Sequence, residues 1–236
     1  MKNIISIVTA LILAIMIYGC ASSNVLQTVN GYNNQVSSKK IDGINIITKV
    51  NYWNGNPQVT QYVTPVFVTI TNNSNKELKI SYQQFALVSP SGKRFSALPP
   101  FGVSGAVSKP VLIQPYNPIL SPGFFYRGFL LAPFYSSIYP EIPICSGQFF
   151  FDDPLYYDNY YNYWGQIQYS LPTAKMVNEA LPEGIIQKGG EISGYLYFEK
   201  VDDVKSKKVD FKADLINSET GKNFAVISIP YILISE

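Results

Sequence analysis

Residues 66–92 read VFVTITNNSNKELKISYQQFALVSPSG, and their spacing decides the fold class. Val66, Val68 and Ile70 alternate with Phe67, Thr69 and Thr71. Successive side chains of an extended chain point to opposite faces, so this period of two predicts a half-buried strand. Asn72, Asn73, Ser74 and Asn75 follow, residues whose side chains bond their own backbone and favour a turn. Leu78, Ile80 and Tyr82 resume the alternation, but the next apolar pair, Phe85 and Leu87, falls on odd positions. A shift of one predicts an extra residue, a β-bulge near Gln83 and Gln84. Pro90, Ser91 and Gly92 then turn the chain toward Phe95.

The same alternation extends outward in both directions. Upstream, Ile44, Ile46, Thr48, Val50 and Tyr52 oppose Asn45, Lys49 and Asn51. Downstream, residues 192–201, 209–216 and 224–234 are three strand patterns with short links, which implies antiparallel neighbours. Pro230 lies inside the last, which assigns that part to an edge or a bulge. One helix is predicted over 173–181, where Ala174, Val177, Ala180 and Leu181 share a face between Pro172 and Pro182. The stretches 99–122 and 133–170 lose the period and read as irregular insertions. The expected fold is all-β: an immunoglobulin-like antiparallel β-sandwich over 41–236 with long irregular insertions and one short helix. A closed barrel is the alternative.

Stretch 66–92, together with 180–198 (ALPEGIIQKGGEISGYLYF), resembles the immunoglobulin-fold domain of uncharacterised bacterial lipoproteins, related in style to telokin-like sandwiches. The shared elements are structural: a strand ending in Asn, an apolar pair before a Ser-Gly turn, and a Gly-rich lead into a Gly-x-Leu-x-Phe strand. Gly189, Gly190 and Gly194 then serve backbone geometry. The resemblance implies a fold and carries over no catalytic residue.

The N-terminus reads as an address. One charge at Lys2 precedes an apolar run over 4–17, the pattern of a secretory signal, and the run is shorter than the roughly 20 residues a membrane-crossing helix needs. Ile17, Tyr18, Gly19 and Cys20 resemble the lipobox of bacterial lipoproteins, with the bulky Tyr18 as the one departure. The resemblance implies that residues 1–19 are removed and that Cys20 is acylated, a membrane anchor made durable by more than one chain. Ala21 in place of Asp favours the outer membrane by resemblance to enterobacterial sorting, facing the periplasm. Residues 20–40, rich in Asn, Gln, Ser and Thr, are expected to form a flexible tether.

Composition then excludes chemistry. The chain has 18 Lys+Arg against 16 Asp+Glu, a balance that argues against a nucleic-acid partner. It holds no histidine, so His-based triads and His-ligated zinc sites are excluded. With Cys20 acylated, Cys145 has no thiol to pair with and is expected to be a buried, inert side chain. The Gly-rich stretch 184–194 leads into a strand and lacks the ending of a phosphate loop. Three carboxylate pairs, Asp152 with Asp153, Glu179 with Glu183 and Asp202 with Asp203, are the only glycosidase-like material in view, and sequence gives no separation to test. Asp202 and Asp203, among Lys200, Lys205, Lys207 and Lys208, read as a solvated hairpin tip. Asp152, Asp153, Asp158 and Asn159 offer calcium oxygens but not the spaced calcium-loop signature, so neither metal nor cofactor is expected.

One segment stands apart. Residues 149–164 hold nine rings: Phe149, Phe150, Phe151, Tyr156, Tyr157, Tyr160, Tyr161, Tyr163 and Trp164. Tyr and Trp offer flat faces with a polar handle, which suits a binding surface for glycans, peptides or an envelope protein and suits equally a cover over a sheet. The expected role is a non-enzymatic structural or protein-interaction module held at the membrane through Cys20. The alternative is a glycan or peptide binder using Tyr156, Tyr157, Tyr160, Tyr161, Tyr163 and Trp164.

Overall fold

The computed structural model describes residues 24–29, 35–55, 59–99, 123–136, 138–145, 173–202 and 207–235. Eleven strands form one antiparallel sheet: β1 (Asn24–Thr28), β2 (Val36–Ile41), β3 (Ile44–Lys49), β4 (Val63–Asn72), β5 (Leu78–Ile80), β6 (Phe85–Val88), β7 (Arg94–Leu98), β8 (Phe125–Leu131), β9 (Gly184–Glu199), β10 (Lys208–Asn217) and β11 (Asn223–Ser235). Two short helices accompany them, α1 (Val59–Tyr62) and α2 (Thr173–Glu179). The hydrogen-bonded path runs β1-β11-β10-β6-β7-β9-β4-β3-β2, with β5 joined to β10 and β9 and β8 joined to β9. The expected all-β, sandwich-like architecture is what forms. Among the described residues the path ends at β1 and β2, which do not pair with each other, while inside it β5 joins β10 to β9 and closes the ring β5-β10-β6-β7-β9.

Strand β9 joins the layers. Its first residues pair β5 (Leu78↔Ile186, Ile80↔Gly184), whereas residues 191–199 pair β4. It therefore passes from one layer to the other, as corner strands of sandwiches do. The passage needs glycine: Gly189 has a φ of 75°, and a Cβ on Gly190 would stand 2.3 Å from the carbonyl oxygen of Gly128 on β8. The β8–β9 register shifts between Arg127 and Phe129 at that same place. Gly194 is likewise fixed by space, since its Cβ would meet the Leu181 backbone at 2.9 Å.

The core lies between the layers. Ile44, Ile46, Val66, Val68 and Ile70 pool with Phe211, Ala213, Ile227 and Ile229 in one buried cluster. Phe198 crosses to Phe211 edge-to-face at 6.0 Å. The opposite face of β9 carries Tyr195 and Tyr197, which pack with Val59, Val63, Leu98, Met176 and Ala180 in a second cluster. Strand β9 is thus covered on both faces, which accounts for its unbroken apolar run 195–198.

Three expectations are corrected and one is met. The phase change after Tyr82 comes from a one-turn 3-10 helix, Tyr82–Gln84, instead of a bulge. Its Gln84 side chain accepts from the Ser81 N–H and donates to the carbonyls of Lys79 and Asp214, satisfying backbone that the sheet leaves open there. The helix stops at Glu179; the expected Ala180 and Leu181 are buried just past its end, but Val177 is only partly covered and Met176 is buried instead, because the helix docks through Tyr197, whose hydroxyl donates to the Met176 carbonyl, and through the Ala180↔Tyr195 bridge. The expectation for Pro230 is met: β1 ends at Thr28↔Tyr231, so at Pro230 the strand is paired by β10 alone and forms a local edge. The tether expected over 20–40 carries two strands: β1 pairs β11 from Asn24↔Ser235 to Thr28↔Tyr231, and β2 pairs β3. Their polar side chains hid them, since an edge strand is held by its ladder more than by an apolar face.

The insertions are described only in part. Residues 100–122 lie outside the described residues, and so do 137 and 146–170. The described portion of 133–145 is irregular but not superficial. Tyr135, Tyr139, Ile142 and Cys145 are buried in the main core.

Candidate functional site

Cys20 and the aromatic residues Tyr156, Tyr157, Tyr160, Tyr161, Tyr163 and Trp164 lie outside the described residues, as do Asp152, Asp153, Asp158, Asn159 and Asp203. What the fold does build is a cleft and a sealed carboxylate.

The cleft, about 200 Å³ in volume, opens at the end of the molecule where β1 begins, between Asn24–Leu26 of β1 and the β3–β4 connection. Asn51 takes a φ of 54°, a left-handed conformation that Asn tolerates better than most residues. Its side-chain amide donates to the Leu26 carbonyl at 2.7 Å, tying β1 to that connection. Trp53 lines the cleft and stands edge-on to Tyr195 at 5.1 Å and Tyr197 at 5.8 Å. On another wall Lys200 donates from Nζ to the carbonyl of Thr60, the second residue of α1. Sequence reading missed this cleft, because its walls come from segments far apart in the chain and none carries a motif.

Glu183 is the sealed group, with no exposure to solvent. Its Oε1 accepts from the Tyr82 backbone N–H at 2.8 Å and its Oε2 from the Tyr135 hydroxyl at 3.1 Å. The Tyr82 hydroxyl donates to the Leu181 carbonyl at 2.8 Å. Burial, then the neighbouring Glu183 charge, raises the Tyr82 pKa well above the ordinary tyrosine value. Glu179 points elsewhere: its carboxylate meets Lys175 at 3.1 Å, and its charge adds to burial in raising the pKa of Tyr195 and of Tyr197. A carboxylate that no solvent reaches cannot meet a substrate, so Glu179 and Glu183 do not form the paired acid and base of a glycosidase.

The other candidates fall into place. The Asp202 side chain is 69% exposed and 3.9 Å from Lys93, a solvated surface pair of small energetic weight. Cys145 is buried, and its backbone N–H bonds the Leu131 carbonyl at 2.9 Å. Among the described residues no three Asp, Glu or Cys side chains gather as metal ligands.

Fold and site together define an antiparallel all-β domain with a cleft at the N-terminal end of its first strand. Comparison with protein-family models, curated proteins and solved structures finds no match.

Proposed function

We propose that this protein is a bacterial envelope lipoprotein, acylated at Cys20, whose β-domain serves as a non-enzymatic structural or protein-interaction module at the membrane surface. The carrying observation is the sequence Ile17, Tyr18, Gly19, Cys20 after an apolar run, read with the position of β1, which begins at Asn24. The first described strand begins four residues past the cysteine, which sets an acyl anchor on Cys20 beside the domain. The chain's lack of histidine and the burial of Glu183 support the non-enzymatic part. Ala21 supports the outer membrane as the destination. Growth with a labelled fatty acid tests the reading: label should enter the wild-type protein and be absent from Cys20→Ser, which should accumulate as unprocessed precursor. Label persisting in Cys20→Ser would sink it.

A second reading, a glycan or peptide binder, rests on the nine rings within 149–164. Its test is a paired measurement on Trp164→Ala and Tyr160→Ala. Loss of pull-down from envelope extracts at unchanged melting temperature supports it, whereas lowered melting temperature in both variants without a separate loss of binding removes it.

A further inference from the structure

We infer that the cleft end of the domain is its membrane-facing surface, lying on the phospholipid headgroups with Tyr52 and Tyr62 at the interface and Lys49, Lys93, Lys207 and Lys208 toward the phosphates. The inference rests on the lipoprotein reading and adds an orientation to it. Residues 20–24 are joined by four peptide steps, and an extended chain covers at most about 3.6 Å per residue, so Asn24 is held within about 14 Å of an acylated Cys20. Such a short link leaves the domain little choice of which end to present.

Register shows what shares that end. Asn24 pairs Ser235, and three residues along β11 Ile232 pairs Lys208, the first residue of β10. In the other layer Val63, the first residue of β4, pairs Glu199, the last of β9. The cleft ties the layers together there, since its lining includes Asn24, Val25, Asn51, Trp53, Val63 and Lys200.

The exposed chemistry suits an interface of apolar and anionic character. Tyr52 is 48% exposed and Tyr62 is 39% exposed. Tyrosine is favoured at headgroup depth, where the ring meets acyl chains and the hydroxyl stays wet. The Lys49 ammonium lies 5.0 Å over the Tyr52 ring, placing a cation beside it. Lys93, Lys207 and Lys208 are exposed at the same end, accompanied by the acids Glu199 and Asp202, and Glu199 is engaged by the Ser96 N–H. Lysines at that depth favour anionic lipid.

The opposite end supplies the control. Glu219 is exposed in the β10–β11 turn, and the 13 residues of β11 separate that turn from Ser235, roughly 40 Å of extended strand. The test uses the full lipidated chain in vesicles of phosphatidylethanolamine and phosphatidylglycerol carrying a headgroup quencher. A fluorophore is attached through Tyr52→Cys, Tyr62→Cys or Glu219→Cys, with the unsubstituted protein as blank for the buried Cys145. Strong quenching at 52 and 62 with none at 219 is the expected result. Equal quenching at both ends, or more at 219, overturns the orientation while leaving the lipoprotein reading intact. Absence of fatty acid from Cys20 removes both.

Discussion

The hydroxyls of Thr48 on β3 and Tyr231 on β11 hydrogen-bond to each other, joining strands 183 positions apart in sequence. Both residues are buried, and Thr48 also donates to the Ser37 carbonyl on β2 at 3.3 Å. This contact joins β11 and β3, the strands next to the two ends of the path, which no ladder among the described residues joins. Tyr231→Phe keeps the ring and leaves Thr48 with one partner fewer, so stability should fall by about 1–2 kcal/mol in urea unfolding. An unchanged midpoint would mean that the layers are held by packing alone.

Phe198 is fully buried on β9 and meets Phe211 across the core. Truncation removes a ring that no neighbour can replace. Phe198→Ala should cost about 3–5 kcal/mol, read from the shift in denaturant midpoint. A cost below about 1 kcal/mol would place the ring where the surrounding structure collapses easily.

Val66, Val68, Ile70, Ile44 and Ile46 were legible because a strand buried on one face writes its geometry as alternation. Strands β1 and β2 were not. The sequence VSSKKI of β2 carries no apolar face and is held by backbone bonds to β3, information that resides in the partner. The 3-10 turn Tyr82–Gln84 left the same trace as a bulge, a phase slip of one, and only geometry separates the two. The cleft has no local signature at all, because Trp53 and Lys200 become neighbours only once β4 and β9 pair.

Tyr82, Tyr139, Tyr195, Tyr197 and Tyr231 all have pKa values raised above 10.0, with burial as the largest cause in each. A tyrosine with a raised folded pKa keeps its proton in the folded state at a pH where the unfolded chain has lost it. The unfolded chain then binds fewer protons, so stability falls as pH rises. The stabilisation is complete below pH 10.0 and is lost progressively above it. Tyrosinate absorbance should therefore rise in two stages, exposed rings first, and the second stage should coincide with loss of far-ultraviolet dichroism. Full ionisation at retained dichroism would contradict the burial of these hydroxyls.

Glu183 offers the sharpest separation of roles. Its two oxygens serve two different donors, the Tyr82 N–H and the Tyr135 hydroxyl, and none of the side chain is exposed. Glu183→Gln retains one oxygen for the Tyr82 N–H and presents an amide to Tyr135. A hydroxyl can accept as well as donate, so that contact survives with its direction reversed. Glu183→Ala takes the acceptor from the buried Tyr82 N–H, at about 1–3 kcal/mol for a buried group left without its partner, and removes one hydrogen bond from the Tyr135 hydroxyl. The expected order of stability is therefore wild type, then Gln close below it, then Ala lower by roughly 1–3 kcal/mol. Adding Tyr135→Phe to Glu183→Ala removes the hydroxyl whose bond to Glu183 is already lost, so the two losses should overlap, a coupling that a double-mutant cycle in urea reads directly. Independent, additive losses would show that Glu183 and Tyr135 do not act through their shared hydrogen bond. A Glu183→Ala variant as stable as wild type would show that water reaches the site.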